Sequence, residues 1–303
     1  MSAPPQSLAY LNGQYLTSDE LRLPVYDAGF VFGATVTDLC RTFRHRLFRL
    51  DDHLTRFRRS CQKARIPQPV PDADLRTIAE RVVAHNAALL PPTQDLALVL
   101  FATPGPIGSY AGREVAVEPT LGLHTFPLPV ARYRQFFAVG ASLMVPPTRH
   151  VPPEAVDPRI KQRSRLSWWI AEREVQEMEP GASALLLDAS NHVTETAAAN
   201  LLIVRAGTVL TPPRSTVLEG ISLKVIEEIC DQLSIPFREQ TLTLADCQTA
   251  DEAMLSCTSF CLAGVRSVQG VQLPWPGPIF LRLLTAWSQA VNVDIRGQFL
   301  AGA

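Results

Sequence analysis

ASALLLDASNHVTETAAANLLIVRAGTVLTP, residues 182–212, contains two strand pairs in succession. ASALLLDASNHVTE runs as strand, turn, strand, and NLLIVRAGTVLTP repeats the pattern around an Ala-Gly turn. Between the two lies TETAAAN, where Glu195 opens a run of small residues. A long acidic side chain is out of character there. Downstream the period changes. ISLKVIEEICDQLSI, residues 221–235, places Ile221, Val225, Ile229 and Leu233 on one helical face. The chain then alternates strands (REQTL, the EAMLSCT run, GVRSVQGVQL) with a terminal helix, IFLRLLTAWSQAV.

Upstream the same mixture recurs. LAYLNGQYL, residues 8–16, is two short strands around Asn-Gly, a strong hairpin signal. GFVFGATVTDLCRTF and RLFRL give further strands, and DLALVLFAT is a buried one ended by Pro104 and Gly105. LDDHLTRFRRSCQKARI puts Leu54, Phe57, Cys61 and Ala64 on one helical face, with Asp51 or Asp52 as its cap. ADLRTIAERVVAHNAAL forms a second helix, and residues 164–178 a third. PLPV at 127–130 marks a linker, after which FFAVGASLMV reads as a strand. The expected organisation is a mixed α/β chain: a small N-terminal α+β domain over 1–126, a linker over 127–135, and a larger C-terminal domain over 136–303.

Composition narrows the function classes. Hydrophobic residues make up 47% and charged residues 19%, an ordinary globular balance. A net charge of -1 and the absence of a basic run argue against nucleic-acid binding. The N-terminus has no basic start followed by an apolar core, and no stretch reaches the ~20 apolar residues that span a bilayer, so a cytoplasmic protein without a membrane partner is expected. The six cysteines are scattered and form no paired CxxC motifs, so no metal site is expected. Lysine occurs only at positions 63, 161 and 224, against 28 lysines and arginines together. In a chain that uses Arg for generic positive charge, a retained Lys suits work Arg cannot do, such as acting as an amine nucleophile. Lys63 and Lys224 fall in amphipathic helical patterns; Lys161, in DPRIKQRSRL, sits between a proline-rich loop and a helix.

Several residues have the chemistry of a site. Lys161 at a loop–helix junction can project into a cleft, where desolvation and neighbouring cations make an amine nucleophilic. Glu195, if buried, needs a cationic or proton-bearing partner, and a pyridinium nitrogen is one such group. Gly220-Ile221-Ser222 opens a helix, where free N–H groups and the dipole favour an anion, although a simple cap would look the same. Thr258 and Ser259 in SCTSF offer two more donors, and Arg56 a guanidinium clamp for a phosphate. One cofactor would use all of them: an amine for its aldehyde, an acid for its ring nitrogen, and donors for its phosphate.

At this point the sequence resembles the fold-type-IV, pyridoxal-phosphate-dependent (class IV) aminotransferase family, which includes branched-chain aminotransferases, D-amino acid aminotransferases and aminodeoxychorismate lyases. The resemblance rests on YLNGQYL, DAGFVFG, FRLDDHLTRFRRS, IKQRSRL, VTETAAANLL, LEGIS and SCTSFCLAGVRSVQG, in the family's order from about Tyr10 to Gly270. It implies a small N-terminal α+β domain and a larger barrel-like α/β domain, with pyridoxal 5′-phosphate between them, usually in a homodimer. It also implies that Lys161 is the Schiff-base lysine and catalytic residue, that Glu195 pairs with the pyridine nitrogen, and that Arg56, Gly220, Ile221, Ser222, Thr258 and Ser259 hold the phosphate.

The substrate side departs from the pattern. Phe32 stands where branched-chain enzymes often carry Tyr, Thr37 and Asp38 where they often have Phe and Glu, and Leu166 where they often have Tyr. LVLFATPGP lacks the Arg that several members use for a substrate carboxylate. Phe32, Thr37, Leu166 and Ala198 are the expected pocket residues. The resemblance implies an aminotransferase joining an amino donor, branched-chain-like among the options, to a 2-oxo acid such as 2-oxoglutarate. A lyase releasing pyruvate from aminodeoxychorismate and a non-catalytic binding protein are the alternatives.

Overall fold

The computed structural model describes residues 6–68, 70–116 and 118–301. The first residues of the N-terminal segment read above for targeting, 1–5, lie outside this description. The chain divides into two units: Met1–Leu128 with Ile160–Ser164, and Pro129–Arg159 with Arg165–Ala303.

The first unit is a six-stranded sheet with two helices on one face. Its strands are β1 (Leu8–Leu11), β2 (Gln14–Thr17), β3 (Val36–Phe43), β4 (Arg46–Leu47), β5 (Leu96–Thr103) and β6 (Thr120–Pro127), in the spatial order β2-β1-β6-β5-β3-β4. The β1–β2 turn is Asn12-Gly13, both at positive φ, as a two-residue hairpin requires. Short helices α1 (Ala28–Val31) and α4 (Gly108–Ala111) flank the sheet; α2 (Leu50–Lys63) and α3 (Asp72–Ala87) cover it. Leu54, Phe57 and Cys61 on α2 and Leu75, Ile78, Ala79, Val82 and Val83 on α3 meet Val36, Cys40, Leu98 and Leu100 of the sheet in one core. The helical period therefore closes on the period-2 face of β3 and β5. Asp51 and Asp52 sit in the first turn of α2, but neither caps it. The N-cap is Arg49, in the left-handed region, and its Nε donates to Asp52 at 2.5 Å.

The second unit is built on β7 (Ala141–Met144), β8 (Ser183–Leu187), β9 (Val193–Thr196), β10 (Asn200–Arg205), β11 (Thr208–Thr211), β12 (Phe237–Glu239), β13 (Glu252–Cys257), β14 (Cys261–Val268) and β15 (Val271–Gln272). Six of these close into a ring, β10-β13-β14-β7-β8-β9 and back to β10. The closing pair is Asn200 opposite Glu195. Closure leaves the ring without an exposed edge, and Leu201, Ile203, Leu255 and Val265, which share one face by register, are all buried. Helices α5 (Val130–Ala138), α6 (Leu166–Met178), α7 (Ile221–Gln232), α8 (Leu244–Gln248), α9 (Pro278–Val291) and α10 (Ile295–Ala301) surround it. The stretch expected as linker and then strand, 127–145, is instead helix α5 followed by the short β7. Its apolar residues are helix-facing: Phe137 stacks on Phe299 of α10 at 4.4 Å between ring centroids. No described helix is long and apolar enough to cross a membrane.

Candidate active site

The first unit carries Lys161 on a short edge segment. Thr37 N–H donates to the Lys161 carbonyl at 2.8 Å, and Lys161 N–H donates to Ser60 Oγ on α2 at 3.2 Å. Strand β3 and helix α2 thus hold the lysine backbone from both sides. Its side chain is half-buried. Arg56, read from sequence as a clamp on a helix face, is buried. Its Nε donates to Asp38 Oδ2 and its Nη2 to Asp38 Oδ1, both at 2.8 Å. His53, one helical turn back, places Nδ1 at 2.7 Å from Asp38 Oδ1. Burial alone would push the Asp38 carboxyl up, but Arg56 and His53 outweigh it and hold it well below the usual carboxylate range. Burial keeps His53 below its ordinary value against the pull of Asp38, with Arg56 and Lys161 adding to the depression. The result is a guanidinium fixed in orientation by a carboxylate that stays ionised. Thr37 is buried, its hydroxyl donating to Leu100 O at 2.9 Å. Phe32 is exposed, its ring edge-on to Tyr110.

The second unit carries the acid and the anion cradle, and the ring closure brings them together. Glu195 is 8% exposed at the end of β9. Its Oε2 accepts from Asn200 Nδ2 at 3.1 Å and from Leu218 N–H at 3.2 Å; its Oε1 lies 3.7 Å from His150 Nε2. Asn200 also donates to Leu218 O at 2.9 Å. Leu218 leads directly into Gly220, the N-cap of α7, and a Cβ at Gly220 would lie 2.1 Å from Asn200 Oδ1. Only glycine lets the helix start approach the Glu195–Asn200 pair this closely. The first intrahelical bond of α7 runs from Lys224 N–H to Gly220 O, so helix geometry leaves the N–H groups of Ile221 and Ser222 without an acceptor inside the helix. Ser256, opposite Asn200 on β13, keeps a buried Oγ with no hydrogen-bond partner. Thr258 and Ser259 form the half-buried β13–β14 turn, and Ser259 hydrogen-bonds Tyr133 of α5. Ala198 is exposed in a tight turn held by Thr196, and Arg165 donates to Ala197 O beside it. Leu166, at the start of α6, is 71% exposed.

These groups fit pyridoxal phosphate. A buried carboxylate with one oxygen doubly satisfied suits a protonated ring nitrogen, and a 12-residue helix beginning at a forced glycine suits a phosphate. No pattern in the sequence pointed to Asn200, His150 or Ser256. The glycine at 220 was the one signal for the close approach.

Residues 35–268 match the family described as Amino-transferase class IV. The chain belongs to the class IV aminotransferase family. It is therefore a pyridoxal-phosphate-dependent aminotransferase with a fold-type-IV architecture. The D-alanine aminotransferase of Bacillus licheniformis is 24% identical over 92% of this chain and 95% of its own. In fold, the chain is similar to the Escherichia coli branched-chain amino acid aminotransferase (TM-score 0.86, 23% identity, 94% of each chain covered). It is also similar to a second branched-chain amino acid aminotransferase, from T.th., complexed with N-(5′-phosphopyridoxyl)-L-glutamate (TM-score 0.82, 21% identity, 98% and 97% covered).

Proposed function

We propose that this class IV aminotransferase moves an amino group between an amino acid, with aliphatic branched-chain-like side chains among its donors, and a 2-oxo acid, with glutamate and 2-oxoglutarate as one couple. The observation that carries the reading is the Glu195–Asn200–Gly220 cluster, an acid and a helix N-terminus locked to each other by one asparagine. The D-alanine and branched-chain relatives support an amino acid substrate, and the phosphopyridoxyl-glutamate complex of the T.th. enzyme supports glutamate as a partner.

Pyridoxal phosphate, when bound, supplies an aldehyde and an electron-accepting ring. Lys161 Nζ is the amine that would hold it and, as a free amine, would take and return the substrate α-proton. Glu195 would face the ring nitrogen, and the Asn200 and Leu218 donors orient its carboxylate. Arg56, fixed by Asp38, binds phosphate together with Ile221 N–H, Ser222 and Thr258. Phe32, Thr37, Leu166 and Ala198 line the substrate side. The exposed apolar residues Phe30, Phe32 and Tyr110 in the first unit and Leu166 and Trp169 in the second support a homodimer, to be read by light scattering. The free cysteines support a reducing, cytoplasmic setting.

The test is a spectrum followed by a donor screen. The purified protein should show the visible band of a lysine-bound cofactor, and Lys161→Ala should lose it while Lys63→Ala and Lys224→Ala keep it. A band retained in Lys161→Ala would mean a different lysine. Amino donors alone should bleach the band, and a 2-oxo acid should restore it. Pyruvate release with no 2-oxo acid requirement would point to the lyase reaction instead.

A further inference from the structure

The sheet face around Lys161 carries a second cation with no role so far. Residues 161–163 pair antiparallel with 35–37: Val36 stands opposite Gln162, Thr37 N–H donates to Lys161 O, and Arg163 N–H donates to Thr35 O, both at 2.8 Å. Side chains alternate along such a pairing. Ile160 packs into the core that holds Val36, and Gln162 shares that face. Register therefore places Lys161 and Arg163 on the opposite face, level with Thr37 and Thr35.

Register carries this second face across the sheet. Lys161 is level with Thr37, Thr37 with Phe101, and Phe101 with Gly122, over which its ring lies. Two residues further along β6 the same face presents His124. Burial and the charge of Arg163 together lower the pKa of His124. Arg163 is exposed to solvent, while partial burial lowers its pKa. Strand β5 offers no cation of its own.

We propose that Arg163, with His124 beside it, binds a carboxylate of the amino acid and 2-oxo acid substrates. The inference rests on Lys161 being the reactive amine. The carbon that exchanges its proton with Lys161 is bonded directly to the α-carboxylate, so an anion must sit near that lysine. A planar guanidinium two residues along the same face offers it a bidentate pair of donors, and neutral His124 one more.

The experiment uses Arg163→Gln and Arg163→Lys in the holoenzyme, with two unreactive probes, 4-methylpentanoate and glutarate, followed by calorimetry. Kinetics with leucine and with glutamate run in parallel. Arg163→Gln should weaken probe binding by about 10- to 100-fold and raise KM to match, with the lysine-bound band retained. Arg163→Lys should recover part of the loss, since charge returns without the planar fork. Loss with both probes supports contact with the α-carboxylate; loss with glutarate and glutamate alone supports contact with a side-chain carboxylate. Failure of the wild-type protein to bind either probe, or binding in Arg163→Gln unchanged within about twofold, overturns the proposal. A wild-type chain without the visible band sinks the lysine assignment alone, and Arg163 is then judged by probe binding to that same protein.

Discussion

Asp38→Asn separates a buried charge from its partner while keeping the side-chain shape. In the native chain Asp38 accepts from Arg56 Nε and Nη2 at 2.8 Å, from Leu39 N–H at 2.7 Å, and faces His53 Nδ1 at 2.7 Å. All three side chains are at most 4% exposed. Asparagine can accept at one atom only and sets an amide donor against donors at the other, so Arg56 loses its buried carboxylate. Breaking a buried pair from one side costs about 3–5 kcal/mol. The urea midpoint of the cofactor-free protein should fall accordingly. Affinity for the cofactor should fall as well, since the two Asp38 oxygens orient the guanidinium through Nε and Nη2. Arg56→Met alone should cost a similar amount, and the double substitution much less than the sum, because the two losses are one interaction. The pH dependence has a defined sign. The folded pKa of Asp38 lies below its ordinary value, so its contribution is present at neutral pH and is lost as pH falls below about 4. The wild type should therefore lose stability on acidification in a window where Asp38→Asn does not. A cost under about 1 kcal/mol, or additive single and double substitutions, would refute the claim that Asp38 fixes the orientation of Arg56.

Gly220→Ala forces a methyl to within 2.1 Å of Asn200 Oδ1. Overpacking there should cost about 1–3 kcal/mol in urea and weaken cofactor binding, and an unchanged cofactor titration would speak against the close approach. Glu195→Gln keeps the shape of the acid but cannot hold a proton on the ring nitrogen. The lysine-bound band should persist while the amino-donor half-reaction slows by at least about 100-fold in stopped flow; an unaltered rate removes Glu195 from the mechanism. His53 has a folded pKa below its ordinary value, so the unfolded chain takes up the proton first as pH falls from about 6.5. Denaturant midpoints across that range should decline in the wild type more steeply than in His53→Gln, and parallel profiles would mean that His53 titrates normally.

What the sequence revealed and what it hid follow from range. The continuous apolar run at 96–103, the helical face of Leu54, Phe57 and Cys61, and the Asn12-Gly13 turn are local signals, and each appears where the pattern put it. Residues 130–138 misled because Phe136, Phe137 and Val139 look strand-like one by one, while the surface that makes them a helix is α10, far along the chain. Glu195 was visible as an acid out of place, but its partners were not. Asn200 reads as one more polar residue until the ring closes and puts it opposite Glu195. Arg56 and Asp38 are 18 residues apart, and no helical or strand period links them.

The register around position 161 is a different case, because its signal was present in the letters. Lys161 and Arg163 are two apart, so in an extended segment the two cations fall on one side, yet IKQR is too short and too polar to read as a strand. Its meaning appears only when β3 supplies the partner, since two hydrogen bonds then decide which side chains face the core. The same logic governs the ring. The Glu195–Asn200 pairing that removes the last free edge also sets the acid beside the start of α7. A substitution that opened this closure would cost fold and chemistry together, whereas one at Arg163 can alter substrate binding and leave both cores intact.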